Sequence, residues 1–290
     1  MEITVIVVVI LAVAVGLSLG LLGGGGSILM VPLLAYVAGM DAKEAIAASL
    51  FAVGVTSLIS LIMHAKRGNV RWRTGLIFGS AGMAGAFLGG LLGGQLPGTV
   101  LMIAFSIMMI ATAAAMIRGR RKAAAKPHGQ AGELPVLRIL VDGLIVGLVT
   151  GLVGAGGGFL VVPALALLGG LPMSIAVGTS LLVISMKSFA GLAGYLTTVS
   201  LDWGVVAAVT AAAVIGALVG ARLTARIREE SLRKGFGYFV LAMGAVVLSQ
   251  ELPGPVGAAL VAGVAVVGLT AAVCRLADKT CLIRWRPQGV

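Results

Sequence analysis

GLSLGLLGGGGSILMVP at residues 16–32 and GLVTGLVGAGGGFLVVP at residues 147–163 decide how this chain folds. They are one passage written twice, at a constant offset of 131 residues and without a gap. Gly16 meets Gly147, Gly20 meets Gly151, Gly23 meets Gly154, and Gly25-Gly26 meet Gly156-Gly157. Over residues 16–50 the two copies agree at 16 of 35 positions, part of which reflects a shared bias toward Gly, Leu and Ala. That bias does not explain the matches at the same offset between Pro32 and Pro163, Ser49-Leu50 and Ser180-Leu181, Ser57 and Ser188, and Trp72 and Trp203. The chain is therefore two homologous halves, and each half carries an apolar stretch interrupted by a run of small residues.

The composition says where such halves reside. The chain has 290 residues, 59% of them hydrophobic and only 11% charged, with a mean hydropathy of +1.13. Soluble domains carry about 25% charged residues, so this apolar excess requires lipid. Disorder, collagen and a disulfide-stapled secreted module are excluded. Cys274 and Cys281 have neither the number nor the company for a disulfide framework or a zinc site.

Apolar segments are read as helices at 3–22, 28–38, 42–64, 72–94, 99–117, 138–154, 159–169, 172–197, 203–226, 231–249 and 255–274. Most suit a hydrocarbon layer of about 30 Å. Segments 28–38 and 159–169 reach only about half that depth at ~1.5 Å per residue, and each follows a glycine cluster. Glu2 and the absence of a basic n-region mark the first segment as a retained helix, not a cleaved signal peptide.

The basic residues give the topology. Of 21 Lys and Arg residues, 19 fall in four clusters: Lys66–Arg73, Arg118–Arg138, Arg222–Lys234 and Arg275–Arg286. The breaks at 95–98, 198–202 and 250–254 carry none. Basic loops stay in the cytoplasm. All four clusters fall inside if each half-length helix folds back as a hairpin with the helix before it. If each pair made one broken crossing, cluster 222–234 would face outward. The expected fold is thus an all-α polytopic membrane protein with two inverted-topology repeats. Each repeat is a hairpin containing a half-length helix plus three full spans, and one extra C-terminal helix follows. Residues 1–118 form the first repeat, 119–137 a basic cytoplasmic linker, and 138–249 the second repeat. Residues 250–274 form the extra transmembrane helix and 275–290 a basic tail. The N-terminus is then outside and the C-terminus cytoplasmic. The net charge of +11 is a topology signal and not a nucleic-acid footprint.

The order Gly-rich run, Val-Pro, Ala-x-x-x-Ser-Leu, then a short turn ending in Trp resembles the sulfite exporter TauE/SafE family. It reads GLLGGGGSILMVP, AIAASL and GNVRW, then GLVGAGGGFLVVP, AVGTSL and VSLDW. The resemblance covers both halves. It implies an anion permease of the bacterial cytoplasmic membrane, exporting sulfite, sulfoacetate or a related organosulfur acid.

The residues themselves suggest how an anion would be held. Backbone leaves a helix at membrane depth only where protein or water satisfies it. Each glycine run leads into the N-terminus of a short helix, at Ser27 and Gly158, and such termini carry free N–H groups and about +0.5 charge. Two termini meeting near the midplane make an anion site without a cationic side chain. The candidate backbone donors are Gly24, Gly25, Gly26 and Ser27 in one copy, and Ala155, Gly156, Gly157 and Gly158 in the other. The plain alternative is that these glycines serve only tight helix packing.

The next helix of each half adds Ser49 and Thr56, then Thr179, Ser180 and Lys187. Ser49 and Thr56 share a helix face, as do Ser180 and Lys187. Lys187 is the one Lys or Arg well inside an expected span, and buried charge in a membrane is costly and usually functional. It supplies counter-charge to an anion, titrates during transport, or else snorkels or pairs with Asp202 or Glu251. Ser57 and Ser188 are weaker candidates, because membrane serines commonly bond their own helix.

No enzyme pattern is present: GGGGS lacks the Lys of a phosphate-binding loop, and there is no HExxH, Cys–His pair or paired carboxylate. No catalytic residue, metal or cofactor is called for. Transport then runs passively or on a proton or other ion gradient, as a secondary transporter or, alternatively, an anion channel of the same architecture. The partners are a small anion, the lipid bilayer and a coupling ion, with no nucleic acid.

Overall fold

The computed structural model describes residues 2–22, 25–118, 136–154, 161, 165, 173–223 and 229–252. Among these residues there is no strand. Eight long helices account for most of them: α1 Glu2–Leu22, α2 Ala42–Lys66, α3 Trp72–Gln95, α4 Gly98–Arg118, α5 Val136–Val153, α6 Met173–Tyr195, α7 Trp203–Leu223 and α8 Glu229–Glu251. Within them, the stretches Ala42–Lys66, Trp72–Gln95, Ile175–Tyr195 and Trp203–Arg222 are long and apolar enough to cross a membrane. Large apolar side chains such as Ile6, Ile10, Ile107, Ile145 and Ile215 are exposed, as lipid-facing positions require. The expected helix 255–274, residues 119–135 of the linker and the tail lie outside the described residues, and α5 begins two residues inside the expected linker, at Val136.

The expected half-length helix of the first copy begins earlier and is less regular than a single α-helix. It is a 3-10 turn Gly25–Leu29, an α turn Met30–Pro32 and a π turn Leu33–Val37. Changes of hydrogen-bond spacing of this kind accompany function or strain. Ser27, Ile28, Met30, Val31 and Leu34 are fully buried.

Two helix pairs hold the bundle together through the same contacts. Gly16 and Gly20 of α1 lie against the Ala213 and Ala217 carbonyls of α7, and Gly216 and Gly220 of α7 lie against Val13 and Leu17 of α1. Gly147 and Gly151 of α5 lie against the Gly82 and Ala86 carbonyls of α3, and Gly85 and Gly89 of α3 lie against Leu144 and Leu148 of α5. Moving every residue number in the first set by 131, up for α1 and down for α7, gives the second set. Without Cβ atoms the backbones close to direct contact, the means by which membrane helices associate when there is no hydrophobic drive. In both pairs the residue numbers rise together, so the helices run parallel.

The equivalent helices α2 and α6 cross between these pairs. Leu50 lies beside Gly191, Gly54 beside the Phe189 ring, Leu61 packs with Leu181 and Leu182, and His64 lies beside Gly178. One series rises as the other falls, so α2 and α6 run antiparallel. The turn at Asn69 and Arg71 meets the start of α6 through Gly178 and Thr179. The turn at Thr198–Ser200 gathers with Asp41–Glu44, Gly98 and Glu251 at the other end.

Candidate functional site

The site grows from the place where α5 stops. Gly154 has φ +73°, a left-handed conformation that favours glycine, and its N–H donates to the Thr150 carbonyl at 3.0 Å. A Cβ here would also strike Ile46. The last carbonyls of a helix lack intrahelical donors, and side chains from α2 and α6 supply them. The Ser49 hydroxyl lies 2.8 Å from the Gly154 carbonyl and 2.8 Å from that of Ile46 in its own helix. The Tyr195 hydroxyl donates to the Leu152 carbonyl at 2.5 Å. The first copy's α2 thus clasps the break of the second copy.

Lys187 reaches the same helix end. It is 2% exposed, and its Nζ donates to Thr150 Oγ1 at 3.1 Å. The Thr150 hydroxyl in turn donates to the Val146 carbonyl at 2.7 Å. The ammonium therefore sits by the negative end of the α5 dipole. It does not snorkel. The two acids named as alternative partners are engaged elsewhere: Asp202 accepts the Gly204 N–H at 2.9 Å, and Glu251 accepts the Tyr36 hydroxyl at 3.1 Å.

Depth along the bundle follows from neighbours. Gly154 lies beside Ile46, near the start of α2, and Leu152 beside Tyr195, the last residue of α6. Val161 and Leu165 instead pack in a cluster with Phe78, Ala176 and Val183, toward the opposite end of α3 and α6. The residues between, which include the expected donors Ala155, Gly156, Gly157 and Gly158, lie outside the described residues. Their two flanks bracket the level of Lys187.

The first copy is built differently at the matching positions. Gly24 lies outside the described residues; Gly25, Gly26 and the buried Ser27 open the composite helix. Thr150 is replaced there by Leu19, Lys187 by Thr56 and Tyr195 by His64. Thr56 satisfies itself, donating within its own helix to Ala52 at 2.7 Å or Val53 at 3.1 Å. The polar lysine–threonine pair thus belongs to one break only. Sequence reasoning found Lys187 but missed Thr150 and Tyr195. The signal was available for Thr150, whose counterpart Leu19 is apolar.

Thr179 and Ser180 are not brought to this break. Thr179 Oγ1 accepts the Arg71 N–H at 3.0 Å, fastening the turn before α3, and Ser180 donates to Val177 at 2.7 Å. The residue that Ser180 would clasp by analogy with Ser49 is Gly23, outside the described residues. The two fully buried hydroxyls of Ser57 and Ser188 have no hydrogen-bond partner among the described residues.

A cavity of about 560 Å³ opens at the end where α6 and α8 finish. Asp41, Glu44 and Glu251 line it with Thr99, Thr198 and Ser200. Lys43 also lines it, but its ammonium is tied to the Gly94 carbonyl at 2.8 Å. Among the described residues, no three His, Cys, Asp or Glu side chains converge as a metal ion would require.

A family model described as Sulfite exporter TauE/SafE matches residues 8–247. A "Probable membrane transporter protein" of Xylella fastidiosa (strain Temecula1) is 34% identical over 248 residues, spanning 84% of this chain and 95% of that protein. One of the same description from Methanocaldococcus jannaschii is 31% identical over 193 residues, spanning 63% of this chain and 70% of its own. A Bacillus subtilis relative, again a probable membrane transporter protein, is 27% identical over 208 residues, 63% of this chain and 75% of that one. No solved structure matches the chain.

Proposed function

The chain belongs to the sulfite exporter TauE/SafE family and is a multi-pass membrane transporter, not an enzyme; from that premise we propose that it is a secondary exporter of small anions. The substrate class is sulfite, sulfoacetate or a related organosulfur acid. The proposed membrane is the bacterial cytoplasmic membrane, with the N-terminus outside and the C-terminus inside. A proton or other ion gradient drives the movement.

The observation that carries the anion reading is Lys187. A fully buried ammonium at mid-helix, bonded to a hydroxyl at the end of α5 and facing no carboxylate among the described residues, leaves positive charge inside the bundle. Hydrocarbon-depth charge of this kind marks a substrate or ion path. Backbone N–H groups of Gly24–Ser27 and Ala155–Gly158, with Lys187, would hold the anion. Ser49, Thr56, Thr179 and Ser180 serve the scaffold around that site, fastening helices and turns.

Inverted repeats are proposed for the two halves, 1–118 and 138–249. Support comes from α2 and α6, which stand 131 residues apart and run antiparallel. The gathering of 41–44, 98–99, 198–200 and 251 at one end, away from Lys66–Arg73, supports the same reading. With the basic clusters inside, the cavity lined by Asp41, Glu44 and Glu251 faces outward.

The test is a binding screen of purified protein against sulfite, sulfate, thiosulfate, sulfoacetate, taurine and acetate, followed by flux in proteoliposomes. An anion that binds should show trans-stimulated counterflow. Gly25→Leu and Gly156→Leu should abolish binding while leaving membrane insertion intact. Undiminished affinity in both variants would refute the backbone site, and flux without trans-stimulation would refute the carrier.

A further inference from the structure

The seam between α2 and α6 holds polar groups that the proposed route leaves unused. α2 turns Leu50, Gly54, Leu61 and His64 toward α6. Ser57 completes that stripe, three residues after Gly54 and four before Leu61. On α6, Leu181 and Gly191 contact α2, and Ser188 lies on the same stripe, seven residues after the one and three before the other. The antiparallel register sets Ser57 opposite Ser185 and Ser188 opposite Gly54. Both levels are near the middle of the two helices.

Ser57 and Ser188 are both 0% exposed, and neither Oγ has a hydrogen-bond partner among the described residues. Other buried helical hydroxyls here, those of Ser49, Thr56, Thr150, Ser180 and Thr210, donate to their own helix. An unpaired buried hydroxyl destabilises a fold. Two of them at equivalent positions of two copies, 131 residues apart, point to a partner that comes and goes. Lys187 adjoins Ser188 in sequence but turns its ammonium to Thr150 of α5, so the titratable group on the seam itself is His64 at its end; no carboxylate faces it from α2 or α6. Hydroxyl donors in a seam without a carboxylate suit an anion better than a metal cation, which takes negatively charged oxygen ligands. The seam is narrow: a Cβ at Gly54 would lie 3.2 Å from the Phe189 ring. The occupant must therefore be compact.

We propose that Ser57 and Ser188, one from each copy, are a pair of anion-binding hydroxyls at mid-span that hold a compact oxyanion as it crosses between the halves. This rests on the anion-transport reading above and adds a station separate from the glycine runs. Each hydroxyl donates its O–H to a different oxygen of the same ion.

Ser57→Ala, Ser188→Ala and the double variant test it, with sulfite as the probe. Unliganded unfolding temperatures and sulfite affinities would be measured in nanodiscs, and flux in proteoliposomes. Each single variant should unfold at or above the wild-type temperature, because an unpaired polar atom is removed. Each should also bind sulfite about tenfold or more weakly, the range for a hydrogen bond to a charged group. Wild-type sulfite affinity in the double variant would overturn the station while leaving anion transport standing. Failure of the wild type to bind any oxyanion would overturn both. Serine-dependent stabilisation by sodium gluconate that choline gluconate does not reproduce would assign the pair to a cation and overturn it as well. If an alanine variant does not fold, Ser→Cys at the same position keeps the size and weakens the donor, and the same affinity loss is expected.

Discussion

Replacing Lys187 by Met removes the charge and keeps the length of the side chain. A lysine at the centre of a membrane helix costs about 2.5–3.5 kcal/mol. Its bond to Thr150 Oγ1 at 3.1 Å returns about 1.5–3 kcal/mol, the usual worth of a charged hydrogen bond. Thr150 keeps its own acceptor at Val146, so Lys187→Met strands no donor. The balance is that the variant without ligand is as stable as the wild type or more stable by about 1 kcal/mol, a rise of roughly 2–4 °C in unfolding temperature. Anion flux should fall by about tenfold or more, because the charged contact is lost. The assays are thermal unfolding in nanodiscs and sulfite counterflow in proteoliposomes. A Lys187→Met protein that unfolds several degrees lower and transports at the wild-type rate would show that the ammonium merely props up the end of α5.

Three further outcomes follow from the packing. Gly20→Val and Gly151→Val should each destabilise by about 1–3 kcal/mol through overpacking against backbone, read as matched losses of unfolding temperature; a loss in one only would break the equivalence of the two helix pairs. Ser49→Ala strands the Gly154 carbonyl and should cost about 1–3 kcal/mol, with faster amide exchange at Gly154 as the local readout. Single cysteines at Ser200 and Gly68, in a chain with Cys274 and Cys281 replaced, should react with an impermeant maleimide only from outside and only from inside, respectively; labelling of both from one side would end the inverted arrangement.

Much of the fold was legible because lipid imposes length and the repeat imposes order. The seven helices expected at 42–64, 72–94, 99–117, 138–154, 172–197, 203–226 and 231–249 each have an observed counterpart, with ends shifted by a few residues. The irregular turns of 25–37 were not legible, since Pro32 and the glycines announce a break without saying how the chain resumes. Lys187 stood out by chemistry alone, but its partner did not: Thr150 reads as one more helical threonine until α5 is seen beside α6. Spacing marks Ser49 as a hydroxyl on the inner face of α2, but not that it lies 2.8 Å from the Gly154 carbonyl of another helix. Sequence spacing shows which residues share a face of one helix, not which helix that face meets.

The copies are unequal where motion would occur. α3 closes on α6 through glycines, with Gly75 at Leu182, Gly79 at Met186 and Gly90 at Gly191. The corresponding positions of α7 are Val206, Thr210 and Ala221, and the α2 residue matching Leu182 is Phe51. Side chains therefore stand where α3 has none, and α7 cannot approach α2 as closely. Aromatic rings fill that gap instead, with Phe51 and Trp203 edge to face at 5.4 Å. These side chains oppose a full exchange of shapes between the halves; the expected outcome is that α3 and α6 move as one body and that opening falls at α2 and α7. Cysteines at Gly79 and Met186, joined by a short bismaleimide because sulfite cleaves disulfides, should leave counterflow unchanged. The same bridge between cysteines at Phe51 and Trp203 should stop it. Arrest by the first bridge and free transport through the second would reverse the assignment and place the hinge between α3 and α6.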